Sequence, residues 1–77
     1  MEPEPADSFS TRLNVCYEVL LFLASRMQKL KPGEVLEFVS PDPNAPNEVL
    51  NWSEMRGYEV LAVEALPDGQ TRFLIRR

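Results

Sequence analysis

The sequence predicts an α+β fold: a two-layer α/β sandwich in the order β-α-β-α-β-β, with two helices on one face of a four-stranded mixed sheet. Three observations lead there. Apolar residues between Leu13 and Leu30 recur at helical spacing. Segments 34–39, 58–65 and 71–76 are rich in β-branched and aromatic residues. Proline and glycine punctuate the chain between these segments.

The first strand is expected over 8–13, where Phe9, Thr11 and Leu13 alternate with polar residues. The first helix should begin close to Cys16, with Asn14 as its N-cap. Cys16, Leu20, Leu23, Met27 and Leu30 form its apolar stripe, with Val19 on the flank. Lys29 and Lys31 suit the negative end of the helix dipole, and Pro32-Gly33 stops the helix. The second strand is expected over 34–39. Asp42 and Asn44 are candidate caps for a second helix that reaches Met55 or Arg56 and buries Val49, Trp52 and Leu50. Gly57 should end that helix in a left-handed conformation. The third strand is expected over 58–65 and the fourth over 71–76, joined as a hairpin by the turn Pro67-Asp68-Gly69-Gln70. Both strand-helix-strand links should be right-handed. Alternation leaves the core face of the sheet open. Leu36, Phe38 and Leu74 compete for it with Val35, Val39, Phe73 and Ile75.

The 77 residues suit one small domain, here expected over 8–77. Residues 1–7 read as a disordered acidic tail carrying Glu2, Glu4 and Asp7. The whole chain has 8 Lys+Arg against 12 Asp+Glu, so without the tail the balance is 8 to 9. Arg72, Arg76 and Arg77 are the one basic cluster, so nucleic acid is not an expected partner. The longest apolar run, Val19 to Ala24, is far short of a bilayer span, and no secretory signal opens the chain. A cytoplasmic monomer without membrane contact is the expectation.

Histidine is absent and there is one cysteine. The chain therefore holds no Ser-His or Cys-His pair, no His-containing metal site and no internal disulfide. Cys16 is the one nucleophile with an evident activation mechanism. Unpaired backbone N–H groups at a helix N-terminus stabilise a thiolate, and Arg12 lies four residues upstream as an electrostatic support. The competing reading is an inert core cysteine, because Cys16 falls on the apolar stripe. Tyr17 and Leu21 lie one helical turn apart beside Cys16, either as a partner-docking patch or as ordinary exposed apolar residues. Glu34 and Glu37 have no partner constellation and read as solvated charges.

Several of these residues together resemble the TusA/SirA family of small sulfur carriers. Lys31-Pro32-Gly33-Glu34 stands at the family spacing from Cys16. Asp42-Pro43 and Trp52 match the following loop and helix, Gly57 to Leu61 the third strand, and Phe73 to Arg76 the last strand. The resemblance covers residues 9–77. Where the family reads Cys-Pro-x-Pro, this chain has Cys16-Tyr17-Glu18-Val19; Ser10 and Leu13 stand at the family's aspartate and glycine positions, and Arg12 keeps its arginine. The resemblance implies that Cys16 carries sulfur as a persulfide. The sulfur would come from a cysteine desulfurase or rhodanese-like donor and pass to a protein acceptor, without metal or bound cofactor. Loss of both motif prolines motivates the alternative, a diverged protein-binding or regulatory module in which Cys16 is structural.

Overall fold

The computed structural model describes residues 4–77, and the expected tail therefore lies partly outside the described residues. Its elements are β1 (Asp7–Ser10), α1 (Tyr17–Gln28), β2 (Val35–Ser40), α2 (Ala45–Arg56), β3 (Glu59–Ala65) and β4 (Thr71–Arg76). The order and the two-helix, four-stranded mixed sheet are those the sequence predicts. Strands lie in the order β1-β2-β4-β3, with β1 parallel to β2 and the other pairs antiparallel. β1-α1-β2 is thus a crossover between neighbouring strands, while β2-α2-β3 leaves a gap that β4 fills by hairpin return. Leu66 N–H donates to the Gln70 carbonyl at 2.8 Å to close that hairpin.

Several boundaries differ from expectation. β1 starts at Asp7, which was expected in the tail, and ends at Ser10 rather than Leu13. Asp7 belongs to the fold because Arg26 of α1 donates to both of its carboxylate oxygens at 3.1 Å. After Ser10 the Thr11 hydroxyl accepts the Leu13 N–H at 3.0 Å, turning the chain away from the sheet. Asn14 is not the N-cap of α1; Cys16 is, two residues later. At the other end of α2, Gly57 adopts φ 76°, the left-handed cap its position predicts.

The helices cover one face of the sheet, and the register shows which side chains meet them. Phe9, Phe38 and Phe73 lie side by side across β1, β2 and β4, with ring centroids 5.5 and 5.9 Å apart. Leu36 and Ile75 continue this face and join Val19, Leu23, Ala24, Met27, Val49 and Trp52 in one core. Leu50 does not join them. It is exposed, because the buried face of α2 runs through Ala45, Val49, Trp52 and Ser53. Cys16 also leaves the expected stripe: the buried residues of α1 are Val19, Leu23, Ala24 and Met27, and Cys16 is exposed.

Leu74 points to the opposite face, yet it is fully buried. Its neighbours there are Glu37, Arg72, Arg76 and Ala62, and the charged ends of the first three are paired. Arg72 bridges Glu37 and Glu64, Arg76 pairs with Glu59, and Ser8 Oγ donates to Glu37 at 2.7 Å. Glu37 is therefore part of a charged lattice and not a solvated charge. The basic residues at the chain end are occupied as well, since Arg77 donates to the Gln28 and Leu30 carbonyls at the end of α1.

The Arg72 hydrogen bond, followed by that of Ser8, holds the Glu37 carboxyl below its ordinary 4.5. A depressed folded-state value means the contribution is complete above the unfolded value and disappears as pH falls through the folded one. Urea titrations from pH 7 to 3 should show Glu37→Gln losing less stability on acidification than the unsubstituted protein. Parallel acid curves would refute this. A second expectation concerns Ser53, whose buried Oγ has no hydrogen-bond partner among the described residues. Ser53→Ala removes an unsatisfied hydroxyl and improves helix propensity, raising stability by about 1 kcal/mol. A lower urea midpoint would contradict it.

Candidate functional site

Cys16 stands where two loops meet. β1 and β2 are adjacent and parallel, so the segments leaving their C-terminal ends, 11–16 and 41–44, emerge side by side. The connection between them is a carboxylate: Asp42 Oδ2 accepts the Val15 N–H at 2.8 Å. Asp42 Oδ1 accepts the Asn44 N–H at 2.9 Å, and the Asp42 N–H donates to Ser40 Oγ at 3.1 Å. The sequence offers Asp42 as a candidate cap of the second helix and as part of the Asp42-Pro43 family match, not as a link to the first helix. Its Asp-x-Asn spacing signals the local turn, but nothing near it in sequence signals the bond to Val15, 27 residues away. Asn44 is the N-cap residue of α2, although its side chain makes no cap hydrogen bond.

At the start of α1 the Cys16 backbone is extended (φ −128°, ψ −178°), and its carbonyl accepts the first helical bond from Leu20 N–H at 2.9 Å. The Cys16 side chain makes no cap hydrogen bond. The amides of Tyr17, Glu18 and Val19 have no acceptor among the described residues, so the turn that follows the exposed Cys16 keeps unpaired donors at the positive end of the helix. Glu18 adds a carboxylate in the same turn. Arg12 is exposed in the preceding loop and makes no hydrogen bond or ion pair among the described residues. It is thus a nearby cation without an assigned partner in the fold, not a contact of Cys16.

Apolar surface flanks both sides of α1. On one side a groove of about 280 Å³ is lined by Phe9, Thr11, Leu13, Glu18, Val19 and Phe22. On the other, a second groove of about 280 Å³ runs between the helices, with Tyr17, Leu20, Leu21, Trp52, Met55 and Arg56 along it. Tyr17 is 75% exposed and Met55 86%. Tyr17 and Leu21, singled out from the sequence, therefore share one groove. Leu13, Phe22 and Met55 belong to the same apolar surroundings and were not singled out, because a lone exposed apolar residue carries no sequence signal. Both grooves border α1, the helix that Cys16 caps, and exposed apolar side chains grouped in this way suit contact with another macromolecule.

No helix of the described residues is long and apolar enough to cross a membrane. Residues 11–77 match the family model described as sulfurtransferase TusA. No curated protein matches the chain.

Proposed function

Given that the chain belongs to the TusA sulfurtransferase family, we propose that it is a cytoplasmic carrier that relays sulfane sulfur between proteins through Cys16. The observation supporting this reading most directly is the exposed Cys16 at the N-cap of α1, followed by three first-turn amides without acceptors among the described residues.

The chemistry requires one thiolate at each step. Cys16 S⁻ attacks the outer sulfur of a donor persulfide, R–S–SH. A new S–S bond forms, the donor's S–S bond breaks, and R–S⁻ leaves, giving Cys16–S–SH. An acceptor thiolate then attacks the outer sulfur of Cys16–S–SH and releases Cys16 S⁻. Each transfer exchanges one S–S bond for another, so no external oxidant or reductant is consumed. With one cysteine in the chain, no internal thiol competes for the loaded sulfur.

Donor and acceptor are both proteins in this reading, the donor being a cysteine desulfurase or a rhodanese-like protein. Arg12 supports the anionic persulfide electrostatically, and Tyr17 and Leu21 supply apolar contact to whichever partner is docked. The alternative, a protein-binding module with Cys16 as a packing residue, has less support, because Cys16 is exposed and the core closes without it. The experiment is incubation with a cysteine desulfurase and cysteine, followed by intact-mass measurement. A gain of one sulfur atom that dithiothreitol removes supports the carrier. An unchanged mass, with a reference carrier loading in the same mixture, defeats it.

A further inference from the structure

We propose that Asp42 is a positioning residue: it determines where α1 begins and thereby holds Cys16 at the N-cap. Its consequence for sulfur loading rests on the carrier reading, but the geometry stands independently of it. Asp42 is 9% exposed and pairs with no cation among the described residues. A carboxylate in such a place has to be satisfied by donors, and here both oxygens receive backbone N–H groups, from Val15 and from Asn44. The Asp42 carbonyl also accepts the Ala45 N–H at 3.0 Å, so one residue organises the starts of both helices.

Nothing local replaces it at α1. The Cys16 side chain makes no cap bond, and Tyr17 at the first helical position lacks the preset φ of a proline. The buried Val15 side chain sets the depth of the segment, whereas its backbone direction is set through the N–H that Asp42 holds. An asparagine could not do the same work. It offers one oxygen to two donors and turns an NH₂ towards the other.

The test is amide hydrogen exchange by NMR. In Asp42→Asn, the Val15 and Leu20 amides should exchange about tenfold faster, the loss of roughly one hydrogen bond, relative to amides in β2 and β4. Tyr17→Pro added to Asp42→Asn should restore Leu20 protection but not Val15. Proline presets the helix start, and the extended Cys16 backbone is the conformation a following proline requires. Desulfurase-dependent loading of Asp42→Asn should slow while the donor concentration for half-maximal rate stays the same. Unchanged Val15 and Leu20 protection would overturn the proposal. So would uniform acceleration of all amides, a failure of Tyr17→Pro to restore Leu20, or loading at the unsubstituted rate. If Asp42→Asn does not fold, a through-hydrogen-bond coupling between the Val15 nitrogen and the Asp42 carboxyl carbon in the unsubstituted protein decides. Its absence overturns the proposal. Should the unsubstituted protein take up no sulfur, the carrier reading fails, and the amide measurements still decide the role of Asp42.

Discussion

Cys16→Ser should abolish sulfur uptake and leave the fold intact. The two halves of this expectation have separate causes. Uptake depends on a thiolate that can attack a persulfide sulfur, and a serine hydroxyl, un-ionised near neutral pH, does not perform that exchange. Stability depends on what the side chain packs against. Cys16 is exposed and outside the core cluster, and its cap role resides in backbone groups that serine also has. Serine is moreover a favourable N-cap residue, able to accept from the free first-turn amides. The urea midpoint should therefore change by no more than about 0.5 kcal/mol equivalent, and upward if the hydroxyl caps the helix. Intact mass after desulfurase treatment and a denaturation curve on the same sample check both halves. Sulfur bound to the serine variant would relocate the chemistry away from Cys16. A large loss of stability would show the cysteine to be a packing residue after all.

Phe38→Ala should produce the largest loss of stability. Phe38 is fully buried, stacked between Phe9 and Phe73, and placed on β2, the strand that joins the parallel pair to the antiparallel hairpin. Truncation removes the middle ring of the row and leaves a cavity under α1, at a cost of about 3–5 kcal/mol. A domain of this size has about 5–10 kcal/mol in total, so the variant should lie near its unfolding transition at ambient temperature. Chemical denaturation and the dispersion of amide resonances measure it. A cost below about 1 kcal/mol would mean that neighbouring rings collapse into the space.

Much of this molecule is legible in its residues alone. The helical recurrence of Leu23, Met27 and Leu30, the strand composition of 71–76, and the stop at Gly57 each act within a few residues, so they identify elements without knowledge of the fold. Composition likewise settles that one cysteine and no histidine are available for chemistry. The tertiary structure decided the rest. Strand alternation has two equivalent solutions, and only the helices packed on Leu36, Phe38, Phe73 and Ile75 choose between them; they leave Leu74 to a charged lattice on the other face. A helical stripe can be rotated by part of a turn, and contact with the sheet turned α1 so that Val19 is buried and Cys16 is exposed. The bond from Asp42 to Val15 exists because two parallel strands end side by side, a relation between residues 27 positions apart that no local pattern encodes.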